Sequence, residues 1–246
     1  MISRLAVYCQ KRIAQRMTQM LAWQIPARPI ISFTFDDFPR SALAIAGFML
    51  LDNGVHGTYY VSMGLMGKES GLGDMFNGDD LQMLIADGHE LACHTFSHLY
   101  CPRATTGDIQ QDCGRNQCAV EDAIGGYRLR NFAFPSGGIT WPAKSILKSL
   151  YNSCRTVESG INHNPIDLCF LRANPLYSCR PISETYRLIE QNREQPGWLL
   201  LYTHDVREDH SDVGCTPMYF RNILHAAVAS GASIMTVAEA VGTFLV

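Results

Sequence analysis

The chain has 246 residues, of which 47% are hydrophobic and 17% charged, enough to bury one sizeable core and too apolar for a disordered polypeptide. A formal net charge of −3 lacks the basic excess of a protein that tracks phosphates, so nucleic acid is not an expected partner. No apolar run is long enough for a transmembrane helix.

Residues 1–25 read as a basic, amphipathic helical segment, with Arg4, Lys11, Arg12 and Arg16 set among Leu5, Ile13, Met17, Met20 and Leu21. The segment has neither an uninterrupted apolar stretch nor a small-x-small cleavage site, so it is not read as a secretory signal. Docking on the domain is the favoured reading, with peripheral membrane contact as the alternative. The nine cysteines are irregularly spaced without a Cys-x-x-Cys pair, a pattern expected of reduced thiols and of a cytoplasmic setting, at the inner membrane face if the helix binds lipid.

From residue 26 to 246 one domain is expected. Strands are predicted at Ile30–Phe35, Gly57–Val61, Glu90–Cys93, Asn131–Phe134, Cys154–Val157, Cys169–Leu171, Leu199–Thr203 and Ser233–Thr236. Helices are predicted at about Ser41–Asn53, Asp79–Asp87, Thr106–Ile124, Pro142–Tyr151, Ser183–Gln191 and Pro217–Ser230. The alternation implies a parallel sheet, and its roughly seven to eight repeats in one α/β domain imply a (β/α) barrel.

In such a barrel, functional side chains gather where strands end. Four polar clusters do so: Asp36-Asp37, His94 with His98, Pro135-Ser136-Gly137, and His204-Asp205. Taken alone, an Asp-Asp before a proline is a turn, and a pair of histidines four apart is as often structural as ligating. Taken together, they supply the donors for one divalent metal plus a spare carboxylate suited to general-base work. His89 precedes Glu90 without completing a His-Glu-x-x-His zinc-protease signature and is read as structural.

The segments Thr34-Phe35-Asp36-Asp37, His94-Thr95-Phe96-Ser97-His98, Phe132-Ala133-Phe134-Pro135-Ser136-Gly137 and Leu199-Leu200-Leu201-Tyr202-Thr203-His204-Asp205 resemble, in order and spacing, the motifs of the polysaccharide deacetylases. This is carbohydrate esterase family four, which includes the rhizobial chitooligosaccharide deacetylase. The resemblance implies a distorted barrel of the deacetylase type holding a metal, usually zinc, through Asp37, His94 and His98. It further implies Asp36 as catalytic base, His204 as catalytic acid, and the Ser136 backbone N–H as an oxyanion donor. The implied reaction is hydrolysis of an N-acetyl group on an amino-sugar glycan or lipid-linked precursor, with release of acetate.

Two positions depart from the family pattern. Ala133 stands where many relatives carry an arginine that pairs with the base, and Ser136 stands where they carry an aromatic residue. Arg172 is the expected replacement cation. Asp167 and Asp205 are the two candidate partners that would orient His204. Rival readings are hydrolysis of an O-acetyl ester or formamide on the same scaffold, and a catalytically silent glycan-binding protein.

Overall fold

A computed structural model describes residues 4–23 and 26–245, and the expected segment limits at residues 1, 25 and 246 lie outside them. In chain order the elements begin with helix α1 (Arg4–Arg16) and strands β1 (Leu21–Ala22) and β2 (Ile30–Asp36). A π-helical stretch (Ala42–Gly47) then runs into α2 (Phe48–Asp52), followed by β3 (Thr58–Val61), the hairpin of β4 (Glu69–Ser70) and β5 (Gly73–Asp74), and α3 (Gly78–Ala86). Next come β6 (Glu90–Cys93), α4 (Thr106–Ile124), β7 (Asn131–Ala133), α5 (Trp141–Leu147), β8 (Ser153–Arg155), β9 (Ile166–Asp167) and β10 (Asn174–Pro175). The chain ends with α6 (Ile182–Glu194), β11 (Trp198–Thr203), α7 (Pro217–Ala229), β12 (Ser233–Ile234) and α8 (Val237–Phe244). Helix starts follow local chemistry. Capping boxes pair Asn77 with Asp80, Thr105 with Asp108, and Thr236 with Glu239, and prolines occupy the first turns of α5 and α7.

Strands β10, β11, β2, β3, β6, β7 and β8 lie side by side in that order, every neighbouring pair parallel, and β12 pairs with the start of β2. The sheet curls until one segment touches both edges: Leu171 bridges to Arg155 of β8 while Asn174 and Pro175 pair with β11. The result is the expected distorted (β/α) barrel.

Side-chain alternation along the strands divides the interior in two. Ile31, Phe33 and Phe35 of β2 pack outward with Phe220 and Leu224 of α7. Ile30, Tyr60, Ala92, Ala133, Trp198 and Tyr202 form a separate cluster in the lumen. Helix α8 closes the end at which the strands begin, its first N–H groups donating to Thr58 Oγ1 and Glu90 Oε2, both at 2.8 Å. Glu90 also accepts from Thr58 Oγ1 at 2.8 Å and Asn131 Nδ2 at 2.6 Å. Burial raises its pKa against those hydrogen bonds.

The N-terminal segment is docked on the barrel. The fully buried Lys144 ammonium of α5 donates to the Ala14 and Met17 carbonyls at 2.9 Å, satisfying the C-terminal turn of α1, and pairs with Asp167 at 2.5 Å. Strand β1 pairs antiparallel with β9.

Residues Cys169–Leu171 form no strand. Asp167 turns the chain there, its side chain accepting from the Cys169 N–H at 3.0 Å and its carbonyl from the Phe170 N–H, and only Leu171 bridges.

Candidate active site

Consecutive residues on a strand point to opposite faces, so two adjacent carboxylates reach one mouth only if the backbone turns between them. It does so here. Asp36 ends β2, and Asp37 and Phe38 adopt φ of 62° and 61°, the left-handed region that non-glycine residues rarely occupy. Thr95, His98 and Ser136 have φ of 60°, 54° and 53°, so all five positive-φ non-glycine residues among those described lie in the polar motifs at strand ends. Each such position costs about 1–3 kcal/mol and persists because its surroundings hold it.

The segment from His94 to His98 is a loop, pinned from α4. Asp112 accepts the Ser97 N–H at 2.9 Å and its hydroxyl at 3.0 Å, while Thr95 Oγ1 accepts the Leu99 N–H at 2.7 Å. Asn116 of the same helix ties Met63 and Val61 beside it.

Asp37, His94 and His98 each present a ligand atom within 4.8 Å of the others. Asp37 Oδ1 lies 3.6 Å from His98 Nε2 and 3.9 Å from His94 Nε2, buried with no hydrogen-bond donor. Donors bound tetrahedrally about 2.1 Å from one ion stand roughly 3.4 Å apart, so an orphaned carboxylate oxygen facing two imidazole nitrogens fits a divalent metal. His94 Nδ1 lies 2.8 Å from the Ala133 carbonyl, which can only accept, so the proton sits on Nδ1 and Nε2 keeps its lone pair. Burial lowers the His94 pKa to about 4, which keeps the ring neutral.

Asp36 has a different partner. Arg155 of β8 places Nη2 2.6 Å from both of its carboxylate oxygens. The guanidinium lies 5.0 Å from the Tyr60 ring centroid and 4.9 Å from that of Tyr202, a fully buried cation between two aromatic faces. Burial alone would raise the Asp36 pKa, but the charge and hydrogen bonds of Arg155 outweigh it and hold the carboxyl below its ordinary value.

The expectation that Arg172 replaces the missing motif arginine is therefore corrected. Arg172 is exposed and donates to the Ser159 carbonyl at 3.0 Å. Arg155 is the cross-strand partner of Ala133, so the cation arrives at the same level of the lumen from the neighbouring strand. A signal was available in the sequence: a lone arginine inside the strand Ser153-Cys154-Arg155 needs a buried partner.

His204 follows β11, 6.2 Å from the Tyr177 ring, and its Nδ1 lies 3.2 Å from the Val213 carbonyl. Neither expected carboxylate partner reaches it. Asp167 is held by Lys144, and Asp205 accepts from Ser211 N–H at 2.8 Å, Ser211 Oγ at 2.6 Å and Arg207 Nε at 3.0 Å. Asp205 thus folds the loop that carries Val213, and the orienting group for His204 is a backbone carbonyl. Ser136 is exposed at the end of β7, in a short 3-10 turn whose Pro135 and Gly137 are buried.

The family model described as polysaccharide deacetylase matches residues 24–152, just over half of the chain. No curated protein matches it. Among solved structures, the chain is similar to a family 4 acetyl xylan esterase of Clostridium thermocellum in complex with a cobalt ion. That match has a TM-score of 0.62 at 17% identity and covers 87% of this chain and 90% of that one. PdaA of Bacillus subtilis, a family 4 carbohydrate esterase, aligns with a TM-score of 0.61 at 13% identity over 93% and 87% of the two chains. A family 4 pseudoenzyme of Bacillus anthracis aligns with a TM-score of 0.57 at 15% identity over 88% and 66%. The structural superpositions establish a shared fold, the family model establishes the kinship, and the chain belongs to the polysaccharide deacetylase family.

Proposed function

We propose that the protein is a metal-dependent hydrolase that removes the N-acetyl group from an amino sugar in an oligosaccharide, polysaccharide or lipid-linked precursor, releasing acetate. The observation that carries this reading is the division of the acidic pair: Asp36 is paired with Arg155, while Asp37 turns an unpartnered oxygen to His94 and His98. A divalent ion held by Asp37, His94 and His98, zinc being suited to one carboxylate and two imidazoles, would supply a Lewis acid and a water acidified towards neutral pH.

The remaining chemistry belongs to the chain. Asp36, kept ionised by Arg155, takes the proton from the attacking water. The Ser136 N–H donates to the oxygen that becomes negative as the acetyl carbon turns tetrahedral. His204, with Nδ1–H donated to the Val213 carbonyl, has Nε2 free to carry a proton to the departing nitrogen, without which an amine is a poor leaving group. A glycan-binding protein would need neither a base with its own buried cation nor an acid across the mouth.

Acetate release from N-acetylated chitooligosaccharides, measured beside acetylated xylan and alongside elemental analysis, tests the proposal. About one divalent metal per chain and faster release from the amide are expected. Faster release from xylan would make it an ester hydrolase, the activity named for the similar xylan esterase. Full metal occupancy with no release from either would leave the silent binder.

A further inference from the structure

At the end of the barrel opposite the proposed active site, the N-terminal segment leaves a set of large apolar side chains uncovered. Trp23 is 67% exposed, Met17 47% and Leu21 41%, and Leu150, ahead of β8, is 39% exposed. Above them on the outer face of α1 stands Ile13, 46% exposed, while Ala14 on the inner face is fully buried against the domain. The helix therefore has one partnered and one unpartnered side, and the unpartnered side continues into Leu21 and Trp23.

The charge of this region is one-sided. The first 35 residues hold five Lys or Arg and no Asp or Glu, in a chain whose formal net charge is −3. A groove of about 340 Å³ beside Met20 is lined by Arg128, Arg130, Lys148 and Leu150, with no carboxylate in its wall. Lys11 pairs with Glu158, but Arg16, Arg28, Arg128, Arg130 and Lys148 are in no ion pair with a described carboxylate. Unpaired cations around exposed Trp, Leu and Met match a bilayer interface, where an aromatic ring sits among headgroups and each nearby Lys or Arg gains from anionic lipid.

We propose that this face docks the protein on an anionic lipid surface, with Trp23, Leu21 and Met17 entering the headgroup region and Arg16, Arg28, Arg130 and Lys148 resting on lipid phosphates. Docking in this orientation holds the mouth formed by Asp36, Asp37, His94, His98 and His204 away from the bilayer, facing a glycan that extends into water. No helix among the described residues is long and apolar enough to cross a membrane, and the docking proposed is that of an interfacial surface.

Sedimentation of the full chain with vesicles tests this. Binding to vesicles of phosphatidylcholine mixed with phosphatidylglycerol is expected to be about tenfold or more stronger than to phosphatidylcholine alone, and to weaken with added salt. Arg130→Glu with Lys148→Glu should abolish the preference, and Trp23→Ser should lower anionic binding several-fold with an unchanged melting temperature. Equal binding to both vesicles, or none by the folded wild type, overturns the proposal. So does a concentration-dependent dimer that Trp23→Ser disperses while vesicles remain unbound, since the face would then cover a second copy.

Discussion

Adjacent carboxylates with unlike partners should fail in unlike ways. Asp36→Asn is expected to leave metal content intact and lower turnover by roughly two orders of magnitude or more, the loss of a general base. Asp37→Asn should deplete the metal first, read by elemental analysis of dialysed protein. Arg155→Met removes the cation that keeps Asp36 charged. Turnover should fall with metal retained, and the acid limb of the pH–rate profile should move to higher pH, because a carboxylate without a neighbouring positive charge protonates more readily. The same change strands a buried anion, which costs about 3–5 kcal/mol, so Arg155→Met with Asp36→Asn should melt above Arg155→Met alone.

The loops of the site are held by elements that contribute nothing to its chemistry. Helix α4 was legible from its Thr105-x-x-Asp108 start, and its limits agree with the pattern, yet nothing in the pattern singles out Asp112, whose carboxylate holds Ser97. Asp112→Ala should leave the barrel folded and weaken metal affinity by about tenfold or more, as expected when a group that orients a ligand loop is lost. Competition with a chelator measures it. The order and spacing of the motifs pointed to Asp36, Asp37, His94, His98 and His204 directly, because each cluster follows a strand. The Val213 carbonyl and the turn at Asp167 were not legible, and of Arg155 the sequence offered its need for a buried partner but not which carboxylate that is. Their roles depend on which strands are neighbours and how the lumen is filled, and neither follows from spacing along the chain. Helix α8 was missed although it carries two local signs, the Thr236-x-x-Glu239 capping box and an apolar face of Val237, Ala240, Val241 and Phe244, because it has only eight residues and follows closely on the short strand β12.

Across the whole molecule, polar groups inside the sheet and beneath it make stability depend on pH. His89 accepts the Gly57 N–H on Nδ1 at 3.0 Å, and burial lowers its pKa from 6.5 to about 4. A depressed pKa means that the unfolded chain binds the proton first. The stability is therefore present above pH 6.5 and is lost as pH falls towards 4, to an extent on the order of 2–3 kcal/mol. His89→Asn offers an amide oxygen to Gly57 without a proton to gain, so urea melts should show the variant's disadvantage shrinking between these pH values. A constant difference would place the acid sensitivity elsewhere.

The pairing of Ala133 with Arg155 has a consequence for substitution. A family motif is written along one strand, but the demand it records is for a guanidinium at one height in a tube, and two adjacent strands meet that demand equally well. Arg155 fills the space between Tyr60 and Tyr202, and its cross-strand partner in the same lumen cluster is the small Ala133, so a guanidinium on either strand requires a small residue on the other. Substitutions at the two positions are then expected to be coupled in energy. Exchanging the two residues, Ala133→Arg with Arg155→Ala, should recover most of the turnover that Arg155→Ala removes, and Ala133→Arg alone should crowd the lumen and lower the melting temperature.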